Sequence, residues 1–137
     1  MDFVEYADRL EDEALDMCPK WPKTYTFTLN NRALNLASEV YECVLEANAI
    51  MPKTEEEKTT RVELLQKALG ATHAFARKVE KAKKRFPICG HKEGRSAKEE
   101  EEKSDRLFEK IMDILEILDR SIEGNINYTR SIKVKDH

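Results

Sequence analysis

The sequence predicts an all-α fold, an antiparallel up-down four-helix bundle, and three observations carry that expectation. Apolar residues recur at three- and four-residue spacing in four separate stretches, and the breaks between them fall at prolines or glycines. Charged residues make up 37% of the chain and aromatics only 7%, a profile of long surface-charged helices and not of β-branched, turn-rich sheets. The 137 residues suit one domain, residues 1–124, large enough for its own core and followed by a polar basic tail over 125–137.

The first helix is expected over 2–17, where Phe3, Ala7, Leu10, Ala14 and Met17 form one stripe. Seven carboxylates between Asp2 and Asp16 against Arg9 give this stretch a local net charge of −6. Such a face repels phosphate, and it is either solvated or paired with a basic surface. Pro22 then stops helical continuation and biases Trp21 toward extended backbone, so the chain turns there. Thr28 is the expected N-cap of the second helix, with Trp21 and Phe27 as apolar mass beside it.

That helix is expected over 28–50, with Leu29, Ala33, Leu36, Ala37, Val40, Tyr41, Val44, Ala47 and Ile50 inward. It closes before Met51-Pro52. Thr54 and Glu57 have capping-box spacing, which opens the third helix at once, over 55–85, and predicts a hairpin with a short loop. Val62, Leu65, Leu69, Thr72, Ala76 and Val79 give it a near-heptad stripe. Gly70 sits inside this stripe, either for a close helix approach or as a tolerated glycine. Pro87, Gly90 and Gly94 break the pattern as a loop. The fourth helix follows over 99–123, apolar on more than half its circumference from Leu107 to Ile122, with Gly124 as its expected C′ residue.

The strongest electrostatic signal lies between Arg77 and Lys98, where nine cations stand against Glu80 and Glu93, a local net of +7. Arg77, Lys78, Lys81, Lys83, Lys84, Arg85, Lys92 and Arg95 are the candidate phosphate contacts here, because each neutralised phosphate releases counterions. The competing reading is a solvated face whose lysines pair with Glu99 to Glu102 or with the acidic first helix. The overall net charge of −3 confines any such site to a local patch.

From Trp21 the chain reads aromatic-Pro-Lys, three residues, Phe-Thr-Leu, two residues, Arg. This resembles the Phe-Pro-basic…aromatic-Thr-Leu…Arg signature of a family of small four-helix-bundle proteins. The family includes the accessory variability determinant of diversity-generating retroelements and the proteins encoded in intervening sequences of bacterial large-subunit rRNA genes. Trp21, Pro22, Lys23, Phe27, Thr28, Leu29 and Arg32 fall in register, while Thr26 stands where the family often has a basic residue. The family's Gly-Trp and basic ending is matched by Gly124 and Arg130 without the tryptophan. The resemblance implies a homo-oligomer, a homopentamer in the retroelement branch. Its implied partners are a reverse transcriptase and the RNA or RNA-DNA hybrid that enzyme copies. Lys23 and Arg32, in the signature segment, join the candidate nucleic-acid-binding residues.

Other chemistry has weaker sequence support. Cys89-Gly90-His91 sets a thiolate and an imidazole in one loop, which Cys18 or His73 could complete as a zinc site. Structural zinc motifs come as two close pairs, and only one is present, so no metal or cofactor is expected. Cys43 reads as a small buried apolar residue. His73 reads as a core or boundary histidine, and Asp113, Glu116, Asp119 and Glu123 lack the Glu-x-x-His partner of a di-metal bundle. No phosphate loop, nucleophile elbow or histidine-paired cysteine motif appears, so the chain is not expected to be an enzyme. The odd cysteine count, an acidic start and the lack of a membrane-length apolar run point to the cytoplasm. Two functions are therefore expected in competition: a nucleic-acid-binding accessory protein of a diversity-generating retroelement, and a protein-protein adaptor whose acidic first helix and apolar fourth helix bind only protein.

Overall fold

The computed structural model describes residues 3–85 and 96–134, and all regular structure among them is helical. Four α-helices follow one another: α1 (Phe3–Met17), α2 (Asn31–Ala49), α3 (Glu55–Arg85) and α4 (Ala97–Ser131). Between α1 and α2 the chain passes through two 3-10 turns, Cys18–Lys20 and Lys23–Tyr25, and a π-helical turn, Thr26–Asn30. Helix α2 packs on α1 and α3, and α4 packs on α3 and α1, so every helix has two neighbours around one core. No helix among the described residues is long and apolar enough to cross a membrane.

The α1 stripe is buried as its spacing predicts, from Phe3 through Met17. In α3 the buried line differs from the expected one. It runs Arg61, Leu65, Ala68, Thr72, Phe75, Val79 and Ala82, a strict alternation of four and three residues, with Ala71 beside it. Val62, Leu69 and Ala76 lie on its flank and are only partly buried. The seam is thus rotated toward Phe75, whose ring needs the core more than an alanine does. Gly70 is exposed and meets nothing within 4 Å of an added Cβ, so it makes no close helix approach.

Arg61 enters the core because its charge is used there. Its Nη1 donates to Ala47 O at 2.8 Å and to Ile50 O at 3.0 Å, which satisfies carbonyls at the C-terminus of α2, the negative end of that helix dipole. Its Nε donates to Thr129 Oγ1 at 3.0 Å, and Nη2 reaches Asn125 Oδ1 at 3.4 Å, so one guanidinium joins α2, α3 and α4. The N-terminus of α3 is capped by Thr54, whose hydroxyl accepts from Glu57 N–H at 3.1 Å and donates to Glu57 Oε1 at 3.2 Å.

Helix α4 does not stop at Gly124. It continues to Ser131, and residues 125–131 expected as tail belong to the helix. Gly124 has no left-handed φ, and nothing within 4 Å would meet a Cβ there, so it is an ordinary helical position. Ile126 and Thr129 extend the buried stripe of Ile122 by a further turn. Burying the isoleucine is worth about 1.5–3 kcal/mol, which outweighs the roughly 1 kcal/mol cost of a mid-helix glycine. Lys58 Nζ donating to Ile132 O at 2.8 Å ties the end down. Most of the apolar surface of α4 is consumed inside this bundle, and Ile117 is left 37% exposed.

Candidate nucleic-acid interface

The last three turns of α3 carry Arg77, Lys78, Lys81, Lys83, Lys84 and Arg85, all exposed except the half-buried Lys78. Val79 and Ala82 between them are buried and fix which way the helix faces. With about 100° per residue, Arg77, Lys81 and Lys84 point away from that seam, and Lys78 and Arg85 flank them. Lys83 falls on the other flank with Glu80 and is separated from the group. None of the six forms an ion pair among the described residues. Among the described residues, Arg77, Lys78, Lys81, Lys83, Lys84 and Arg85 therefore make no ion pair with α1 or with Glu99 to Glu102. Lys83, Lys84 and Arg85 sit in the last turn and also stabilise the negative end of the α3 dipole. Arg77, Lys78 and Lys81 lie too far from that end for the dipole to account for them.

The acidic residues take other partners or positions. Glu13 of α1 accepts from Lys110 of α4 at 2.7 Å, and Glu39 of α2 pairs with Lys67 at 3.6 Å. At the start of α4, the Ser96 hydroxyl accepts from Glu99 N–H at 3.2 Å, while Glu100 is buried and Glu99, Glu101 and Glu102 face solvent.

Lys23 and Arg32 lie on the connector and the first turn of α2, and both are exposed. Trp21 has φ −69° and ψ 154°, the extended backbone its proline imposes, and its side chain is buried. The 3-10 turn after Pro22 is closed by Tyr25 N–H to Pro22 O at 3.0 Å and by the Thr26 hydroxyl to Lys23 O at 2.8 Å. The π turn closes through Asn31 N–H to Thr26 O. Leu29 and Asn30 point inward, and Asn30 Nδ2 donates to Trp21 O at 3.4 Å. Thr28 is therefore exposed inside a π turn and is not the N-cap of α2. Phe27 is 83% exposed and does not join Trp21 in the core. The wide turn is the reason: it swings residues 27 and 28 out so that 29 and 30 can be buried.

The remaining candidates are dispersed. Lys92 and Arg95 lie outside the described residues, as do Cys89 and His91. His73 meets Asp119 at 2.5 Å on the surface, beside a groove of about 350 Å³ lined by Thr72, Met112, Asp113 and Glu116. Among the described residues no three His, Cys, Asp or Glu side chains gather as a metal site. Cys18 and Cys43 are buried, and burial pushes the Cys43 thiol up from its ordinary value, with Lys67 opposing. Arg61 was not singled out by sequence reasoning, and Phe27 was expected as apolar mass beside a cap and not as an exposed ring. Arginine carries no burial signal, and the outward swing of Phe27 follows from the π turn. In comparisons with protein-family models, curated proteins and solved structures, no match to this chain is found.

Proposed function

We propose that the chain is a non-enzymatic nucleic-acid-binding accessory protein that grips a phosphate backbone with the unpaired cationic end of α3. The observation that carries this reading is the set Arg77, Lys78, Lys81, Lys84 and Arg85, exposed or half-buried and without a carboxylate partner among the described residues. Uncompensated like charges on one helix repel one another, and a polyanion relieves that repulsion while releasing its own counterions.

The up-down antiparallel course of the helices belongs to the same reading. Arg61 reaches residues 47 and 50 of α2 while Lys67 reaches 39, and Arg61 reaches 125 and 129 of α4 while His73 reaches 119. Residue number thus rises along α3 as it falls along both neighbours. On this course Lys23 and Arg32 fall at the end of the bundle where Arg77 to Arg85 lie, which widens the cationic surface. Recognition is of backbone and shape, since nothing in the sequence resembles a base-reading module. By the resemblance of the Trp21–Arg32 segment, the partners are a reverse transcriptase and its RNA or RNA-DNA hybrid. The assembly is a homo-oligomer, a pentamer in the retroelement branch, in which repetition of a weak contact around a ring multiplies its strength. Its compartment is the cytoplasm.

The test is equilibrium binding to a structured RNA at low salt, with wild type and with Arg77→Glu, Lys81→Glu and Lys84→Glu combined. Wild type binds well below millimolar, and the triple reversal abolishes binding. Affinity no better than millimolar, or no response to the reversal, removes the proposal and favours an adaptor that binds only protein.

A further inference from the structure

We propose that Phe27 is a stacking platform for an unpaired base, so that the polyanion is single-stranded where it meets the connector; this rests on the nucleic-acid reading above. At 83% exposure Phe27 is a large apolar ring in water, whereas Trp21 and Leu29 on either side of it in sequence are buried. The ring stands on a fixed base. Hydrogen bonds close the 3-10 turn before it and the π turn that contains it, and Asn30 ties the π turn back to Trp21. Little ordering is then needed when a planar partner arrives.

The ring is also set among cations. The π turn closes between Thr26 and Asn31, so Arg32 follows Phe27 by about one turn at the start of α2, and Lys23 precedes it by about one turn in the 3-10 segment. Both are exposed, and neither forms an ion pair among the described residues. No aspartate or glutamate occurs between Asp16 and Glu39, so the only formal charges on the segment itself are positive. An exposed aromatic flanked by cations along a stiff backbone matches what a single strand offers: a base face with a phosphate on each side. In a duplex the base faces are covered by one another and the ring has nothing to stack on.

The probes are an oligouridylate of about a dozen nucleotides and an RNA duplex of similar length, a span suited to one stacking site. Phe27→Ala is expected to lower affinity for the oligouridylate about five- to a hundredfold, the range that loss of one base-aromatic stack gives. Its affinity for the duplex stays within about twofold, and its salt dependence is unchanged because no charge is removed. Phe27→Trp keeps oligouridylate binding, and its added indole emission is quenched by the single strand and not by the duplex. The inference is overturned if Phe27→Ala affects neither probe, if it weakens both equally, or if it changes the mass of the assembly in sedimentation, which would mark the ring as a contact between copies. If wild type binds neither probe, the nucleic-acid reading fails and takes this inference with it. If wild type binds both and Phe27→Ala matches it, only the stacking role is lost.

Discussion

Replacing Arg61 by methionine is expected to cost more than any change at the surface. The side chain is only 8% exposed and spends its donors on two helix ends. In the variant, Ala47 O keeps the Ile50 N–H at 3.1 Å, and the Thr129 hydroxyl still donates to Asn125 O at 2.7 Å. Ile50 O loses Arg61, and the C-terminus of α2 loses its buried cation. Each charge-assisted bond removed is worth about 1.5–3 kcal/mol, and a partly buried cation at a helix C-terminus adds up to ~2 kcal/mol. Against this, a guanidinium no longer has to leave water, a gain of several kcal/mol. The net expectation is a loss of about 3 kcal/mol, which for a domain of this size is roughly 10 °C in melting temperature. Urea and thermal unfolding followed by circular dichroism measure it. Arg61→Lys keeps the charge but has no planar fork to span α2 and α4, so it recovers about half. Hydrogen exchange should quicken at residues 125–131, which the guanidinium holds. An Arg61→Met protein within about 0.5 kcal/mol of wild type would refute the reasoning, because the desolvation term would then have cancelled every bond.

Other consequences follow from single positions. Gly124→Ala and Gly70→Ala should each stabilise by about 0.5–1 kcal/mol in the same unfolding assay, since both are helical and open to a Cβ. Were Gly124 a left-handed helix end, its alanine would destabilise, so the sign alone tests the continuation of α4. The Cys43 thiol is raised from its ordinary value of 9.0 by burial, partly opposed by Lys67. The folded protein therefore keeps that proton to higher pH than the unfolded chain does, and the stability tied to Cys43 is full below about pH 9 and declines above it. Alkylation of Cys43 should be slow in the native protein and fast in urea, and equal rates would place the thiol in solvent.

Much of this fold was legible where one physical effect dominated. The α1 stripe needed only helical spacing, and the α2–α3 junction needed only Pro52 and the Thr54–Glu57 pair. The reading slipped where two effects competed. In α3, Val62, Leu69 and Ala76 look like a core stripe on hydrophobicity, yet the seam turns to bury Phe75 and admits Arg61, which bonds two α2 backbone carbonyls and the distant Asn125 and Thr129 side chains, none of them marked in the sequence as its partner. At the end of α4, Gly124 reads as a stop, but Ile126 and Thr129 continue the seam and Arg61 reaches across to hold them. In the connector Pro22 was rightly a break, whereas a π turn instead of a Thr28 cap turned Phe27 outward. At the candidate site, sequence located the cations of α3, but only the burial of Val79 and Ala82 separates Lys83 from Arg77, Lys81 and Lys84.

The slope of log affinity against log salt for a structured RNA tests the central claim most directly. With about four to six phosphates engaged per chain, the slope should lie near −3 to −5, and each of Arg77→Gln, Lys81→Gln and Lys84→Gln should reduce it by roughly 0.7–0.9. Lys53→Gln, exposed in the α2–α3 junction away from that helix end, should leave it unchanged. A flat salt response, or an equal loss at Lys53 and at Lys81, would contradict a phosphate grip by the end of α3.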